Sequence, residues 1–526
     1  MTSHKVGQAY PALLLLVLFT LFLSCKKDGQ EPDPQPASSR TELTADSIFL
    51  YAKEVYLWNE SLPDYNTFKP RQYAEADEES GFERELFAIS RYAINSLTGK
   101  PYEYSADDEN GTKYSYISNT EDANPVAVLA SRRSAVDLEG NGYDLGLGVG
   151  FYGSDNSFRI YVLEVSPNSP AAKAGISRGD IITTVNGQKL GSDFDSEYSI
   201  IENTFFSSTV SRAVLTGTKK DGTPLNVTLE RSSYRSSPVN MDTVYTVGAK
   251  KIGYFVFSEF STRTNSEAVL NDVFSNFASA GVTDLIVDLR YNGGGYVSTA
   301  EHLTNLIAPS SVGTGTMFTE RFNTLLQSGK ATILKNLPLL NDNGDIQYSN
   351  GKMLTYADAD YSLSGNTYKF AKKGPLRDLR NVVFITTEST ASASELVINN
   401  LKPHMNVKTV GETSYGKPVG FFPLRIDKYE VYMSMFESQN SEGKGAYYAG
   451  IDPDAPAFDD PRYAFGDLRE ECLATAYSYL TQGSFPTTSN TIAASSASRG
   501  AKLRALQSSR KTLSRSFKGM IEDRVR

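Results

Sequence analysis

The sequence predicts a multidomain α+β protein, and three observations carry that expectation. Apolar residues recur at helical spacing from residue 41 to about 130. Short strands and glycines follow from about residue 140, and strand and helix patterns then alternate from about 234 onward. At 526 residues the chain needs more than one hydrophobic core. The expected order is a leader, 1–25; a tether, 26–40; a helical domain, 41–135; a β-rich domain, 136–233; an α/β domain, 234–480; and a Ser/Thr-rich, then basic, tail, 481–526. A composition of 40% hydrophobic and 21% charged residues is ordinary for globular domains, and a net charge of −9 argues against a general nucleic-acid binder.

The leader joins His4 and Lys5 to the apolar run "ALLLLVLFTLFL", which ends at Ser24-Cys25. A positive flank, a short apolar run and a small residue before Cys indicate a bacterial lipoprotein signal with lipid placed on Cys25. Phe22 stands where Leu is usual in that signal. The polar, Pro-containing "KKDGQEPDPQPASS" then serves as a tether, and an outer-membrane envelope location follows. With only Cys25 and Cys472, a lipidated Cys25 leaves no intrachain disulfide. After loss of His4, only His302 and His404 remain, so neither a metal site nor a cofactor is expected.

In the helical region, "TADSIFLYAKEVYLWNESL" offers Thr44 or Asp46 as a cap and spaces Ile48, Tyr51, Val55 and Trp58 along one face. "FERELFAISRYAINSL" repeats the pattern, and Trp58 is expected to be a packing anchor. In the β-rich region, Ser169-Pro170 should open a short helix that Gly175 closes, before the strand "IITTVNG". In the α/β region, "KKIGYFVFSEF", "VTDLIVDL" and "NVVFITT" are strands, while "NSEAVLNDVFSNFASAG" and "SASELVINNL" are helices. A mixed stretch, 309–380, interrupts them. The basic end is expected to form a loosely ordered helix or a patch for anionic surfaces.

"GETSYGKPVG" has the G-x-x-x-x-G-K spacing of a phosphate loop, yet Pro418 replaces the metal-binding hydroxyl. A phosphate loop also needs a helix after it. "PVGFFPLRIDKYEVYMSMF" instead alternates as a strand, so Lys417 is assigned no nucleotide. "TTESTASASELVINN" offers better chemistry: a strand ends, small residues turn the chain, and a helix starts near a serine. Helix-start N–H groups suit a developing oxyanion, although serines there also act as plain caps. On this ground alone Ser392 and Ser394 are equivalent.

"STASASE" and "GETSYGKP", with "KIGYFVFSEF", "DLRYNGGG" and "YYAGIDPD" in that order, resemble the S41 serine peptidases, the tail-specific or C-terminal processing proteases. The run "SPAAKAGISRGDIITTVNG" before them resembles a PDZ domain. The resemblance implies a ClpP/crotonase-like α/β catalytic domain with Ser392 as nucleophile and Lys417 as general base. It implies an oxyanion held by the backbone N–H of Ala393 and of Gly294 or Gly295, with Ser394 and Glu395 in support. It also implies a peptide groove opening at Leu147-Gly148-Val149, which takes apolar C-terminal tails of polypeptide substrates; an oligomer is compatible with this reading.

The resemblance puts a demand on Lys417. A lysine of pKa near 10.4 is neutral in only about one molecule in 2,500 at pH 7, so the amine must be desolvated. One position departs from the family pattern: Phe421 stands where relatives carry a Gln that orients the lysine. Either Thr413 or Ser414 takes over that task, or the dyad is weakened and the protein holds peptides without cutting them.

Overall fold

In the computed structural model, residues 38–106, 108–120, 136–206, 210–340, 345–377, 379–486 and 519–522 are described. The leader with Cys25, the tether up to residue 37, and residues 487–518 lie outside them. The chain divides into Met1–Ser39 and one compact unit, Arg40–Arg526.

The central sheet of that unit explains the alternation in the sequence. Its strands run in the order Val239–Val247, Lys250–Phe257, Asp284–Asp288, Asn381–Thr386, Asn406–Gly411 and Ala455–Pro456. The first pair is antiparallel and the rest are parallel. Parallel strands need both faces covered, which is why Asp284–Asp288 is buried throughout. Successive side chains point to opposite faces. Phe255 and Phe257 join the core beneath the helices Arg263–Ala280, Val297–Ile307 and Ala393–Leu401, whereas Ile252, Tyr254 and Val256 pack against the helix Glu471–Gln482.

The β-rich region forms an antiparallel sheet with its own core, ordered Leu147–Ser154, Ser157–Val165, Ile181–Val185, Arg212–Thr218, Pro224–Glu230. Ser169 caps the short helix Pro170–Lys173 by accepting from the Ala172 N–H at 3.1 Å, as its sequence implies. The strand Leu147–Ser154 is an edge, and the helix Phe194–Phe205 packs near it. Arg178, in the turn after the short helix, reaches the α/β region. It donates to Tyr291 Oη at 2.6 Å and pairs with Asp459, which also binds Arg290 at 2.6 Å.

The N-terminal region differs from expectation in two ways. Its first helix, Arg40–Val55, starts before either expected cap. Thr44 Oγ1 donates back to the Arg40 carbonyl, while Asp46 is buried and accepts from Tyr65 and Arg71. After the helix Glu78–Ser90 the helical pattern stops, and Tyr116–Asn119 is a strand paired with Tyr429–Tyr432. Trp58 does act as a packing residue, stacked on Tyr102 with centroids 4.5 Å apart.

These helices share one continuous core with the α/β region, since Ile48, Phe49 and Phe82 belong to the same cluster as Phe255 and Phe384. The 309–380 stretch is built in as well. Its strands Thr316–Phe322 and Thr367–Lys369 form a sheet with Phe436–Asn440 and Val419–Gly420. Of the basic end, the described part is a strand rather than a helix: Gly519–Ile521 pairs in parallel with Gly294–Tyr296. Because the core is shared, Phe49→Ala is expected to cost ~3–5 kcal/mol and still give one cooperative urea transition for Arg40–Val55 and the central sheet. Fluorescence and far-UV circular dichroism midpoints that separate would contradict this.

Candidate active site

Ser392 sits where the strand Asn381–Thr386 has ended and the helix Ala393–Leu401 begins, one residue earlier than the helix start expected near Ser394. It is the N-cap, with φ 61° and ψ −109°. A non-glycine residue there is strained by roughly 1–3 kcal/mol, a cost seen where a side chain must be presented at a sharp turn. Its Oγ is buried and has no hydrogen-bond partner among the described residues. Ala393 occupies the first helical position, where the N–H has no partner within the helix. Ser394 is turned away, its hydroxyl donating to the Asn292 carbonyl at 3.1 Å. The structure therefore separates two serines that the sequence alone could not.

Glu395 joins the helix start to the lysine loop. Its Oε2 accepts from the backbone N–H of Ser392 and of Lys417, both at 2.8 Å. The two backbone nitrogens are thus within two hydrogen-bond lengths of each other. Oε1 accepts from the Gly416 N–H at 2.7 Å and from the Ser414 hydroxyl. Burial pushes the Glu395 carboxyl above its usual range, while these four donors pull it down.

Lys417 is completely buried, and burial brings its amine down from 10.5 to about 7 against the upward pull of Glu103 and Glu395. Its Nζ donates to the Tyr114 carbonyl at 3.3 Å and lies 4.4 Å from the centre of the Phe421 ring. The amine is not hydrogen-bonded to Ser392 Oγ in this conformation. Neither hydroxyl expected to orient it does so by donation: Thr413 gives its proton to Asp452 and Ser414 gives its own to Glu395. The Tyr114 carbonyl and the Phe421 ring line the amine's pocket instead.

Sequence reasoning missed Tyr114 and Glu103, both supplied by the N-terminal region. Tyr114 also donates its hydroxyl to the Gly416 carbonyl at 2.6 Å. Glu103 is buried among donors from Tyr56, Tyr114, Ser115 and Ser434. A backbone carbonyl contributed across 303 residues of sequence has no residue signature; the isolated acid in "KPYEYS" was the only available signal.

The glycine turn lies against Ser392. Gly294 and Gly295 have φ 107° and 134°, and a Cβ on Gly294 would lie 2.9 Å from Ser392 Cβ. Only glycine fits there. The expectation for the oxyanion donors is corrected at one position: the Gly294 N–H is given to Asn292 Oδ1 at 2.9 Å. The triplet Leu147-Gly148-Val149 is also corrected. It forms the start of the edge strand and not a loop, laddered with Val162–Val165 and bulged between Gly148 and Val149, with Leu147 in the core. A cavity of about 530 Å³ runs from this edge toward the lysine loop, lined by Val149, Phe151, Leu163 and Phe206 and, opposite, Ser389 and Tyr415.

His302 is bound to Asn271 at 3.0 Å and His404 to Ser441 at 3.0 Å. A buried hydroxyl on a strained helix cap, beside the first N–H of that helix and a lysine held near neutrality, can support nucleophilic attack on a carbonyl.

Two stretches of the chain match known families. Residues 251–457 match peptidase family S41, and residues 146–235 match the PDZ domain. The C-terminal processing peptidase, chloroplastic, of Tetradesmus obliquus is 25% identical over 363 residues, 66% of each chain. The carboxy-terminal processing protease CtpA of Bacillus subtilis strain 168 is 24% identical over 328 residues, 60% of this chain and 57% of the relative. The aligned stretches thus span about half to two thirds of these relatives' length. A crystal structure of a candidate S41 protease from Bacteroides fragilis NCTC 9343 has the same fold, with a TM-score of 0.55 and 21% identity, covering 84% of this chain and 97% of that one.

The buried amine makes a stability prediction. Between about pH 7 and 10.5 the unfolded chain holds a proton on Lys417 that the folded chain lacks, so this residue makes stability rise with pH across that window. Lys417→Met, with no charge to bury, is expected to gain ~1 kcal/mol or more at pH 7 by urea denaturation, and less at pH 10. An equal loss at both values would contradict the buried amine.

Proposed function

We propose, from the match of residues 251–457 to peptidase family S41 and of residues 146–235 to the PDZ domain, a serine endopeptidase that cuts polypeptides offered by their C-terminal tails to the PDZ groove. The observation that carries the reading is the Lys417 amine, brought down to about 7 by burial, on a loop whose backbone N–H shares the Glu395 carboxylate with the backbone N–H of Ser392.

In this reading Ser392 Oγ attacks a substrate carbonyl and Lys417 takes the proton. The swing of Nζ from the Tyr114 carbonyl to Ser392 Oγ completes the dyad, as catalytic contacts often tighten only with substrate bound. The oxyanion is received by the Ala393 N–H, aided by the helix dipole, and by the Gly295 N–H. The acyl-enzyme is then resolved by water, with Lys417 again as base. The apolar wall of Val149, Phe151, Leu163 and Phe206 suits an apolar tail added to the open edge of Leu147–Ser154.

Cys25 is the proposed lipid attachment point, placing the enzyme in the cell envelope on the outer membrane. Among the described residues no helix is long and apolar enough to cross a membrane.

A second reading, a peptide-holding protein without turnover, is favoured by Phe421 and by the unpaired Ser392 Oγ. Hydrolysis of β-casein separates the two. Ser392→Ala and Lys417→Ala are each expected to lower kcat/KM about 10³-fold or more. For wild type, kcat/KM should rise with pH to a plateau above about 7, because the base works only when neutral. Wild type as inert as Ser392→Ala, with both still binding apolar peptide tails, would establish the holding role instead.

A further inference from the structure

The strand Gly519–Ile521 lies in the groove beside Ser392, between two segments of the site. On one side it pairs in parallel with Gly294–Tyr296, the Gly519 N–H donating to the Gly293 carbonyl at 3.1 Å. On the other, the Phe421 N–H donates to the Met520 carbonyl at 3.2 Å and the Glu522 N–H to the Phe421 carbonyl at 3.1 Å. Side chains hold it as firmly. Met520 is fully buried with Sδ 3.3 Å from the Ser438 hydroxyl, and Glu522 accepts from Tyr368 Oη at 2.7 Å. A segment hydrogen-bonded along both edges is how a groove of this kind holds an extended polypeptide.

The register decides which bond is presented. A Cβ on Gly294 would collide with the Gly519 carbonyl oxygen and lie 2.9 Å from Ser392 Cβ. The Gly519 carbonyl and the serine side chain therefore face each other across the width of one missing side chain. In a parallel ladder a residue bonds to the neighbours flanking its partner, so the pairing of Gly519 with Gly294 turns the Gly295 N–H toward that same carbonyl.

We propose that this segment is the enzyme's own substrate, cut in cis between Gly519 and Met520. The inference rests on the peptidase reading above. Ser392 Oγ adds to the Gly519 carbonyl carbon while its proton passes to Lys417. Collapse of the tetrahedral adduct breaks the Gly519–Met520 C–N bond, and the Lys417 proton goes to the departing Met520 nitrogen. Water then hydrolyses the Gly519 ester, restoring Ser392 and leaving a carboxylate at Gly519. The chain from Met520 onward departs, and the groove opens to other polypeptides.

Intact-mass spectrometry of the full chain, taken alongside β-casein hydrolysis, tests this. Wild type is expected to lose the segment beginning at Met520 with a first-order rate unchanged over a hundredfold dilution, and casein cleavage should show a lag of the same duration. Ser392→Ala should keep the segment. Met520→Asp, which puts a charge where the structure buries a thioether, is expected to slow self-cleavage at least tenfold and to abolish the lag. Casein cleaved without a lag by wild type whose mass stays unchanged would overturn this inference and leave the peptidase reading intact. Loss of the segment at a rate that falls with dilution would overturn cleavage in cis. No cleavage of either kind would remove the peptidase reading itself.

Discussion

One buried carboxylate organises the site. Glu395 takes the backbone N–H groups of Ser392, Gly416 and Lys417 together with the Ser414 hydroxyl. An ionised carboxylate without such donors would be very costly at this depth. With them it becomes a rigid clamp, because each donor is charge-assisted and directional. Its geometry fixes the helix start that carries Ser392 relative to the loop that carries Lys417. Asn292 performs a similar service for the glycine turn, receiving the Gly294 N–H on its side chain and the Ala391 N–H on its carbonyl. Strain at Ser392 is sustained because these bonds over-determine the turn.

The state of Lys417 follows from a contest that burial wins. Two carboxylates, Glu103 and Glu395, draw the amine toward its charged form, yet the pocket under Phe421 removes the water that would solvate the charge. At Phe421, where the resemblance led a polar amide to be expected, an aromatic ring lies 4.4 Å from the amine and dries its pocket. The pocket is completed by Tyr114 and Glu103 from the N-terminal region. This is why those helices share a continuous core with the central sheet: a loosely attached domain could not hold a carbonyl 3.3 Å from the amine.

Much of this was legible in the sequence. "KKIGYFVFSEF" announced a strand, and the structure buries it on both faces, Phe255 and Phe257 on one and Ile252, Tyr254 and Val256 on the other. Pro418 and Gly420 ruled out a helix after Lys417, and a short strand stands there. One helix start was misjudged because Thr44 and Asp46 resemble caps but are used inside the helix Arg40–Val55. What remained hidden is long-range. The strand Tyr116–Asn119 and the segment Gly519–Ile521 are set by partners hundreds of residues away, and neither has a local pattern distinguishing it from a loop. The Gly294 N–H was likewise hidden, since its diversion depends on the rotamer of Asn292.

The account stands or falls on the protonation of one amine. Carbon-13 NMR of protein labelled at lysine Cε, with the Lys417 signal identified by its absence in Lys417→Met, reads that state directly. A Lys417 resonance titrating near pH 7 is the expected result. A resonance that reports a charged amine up to pH 9 or beyond would contradict the buried base and the chemistry built on it.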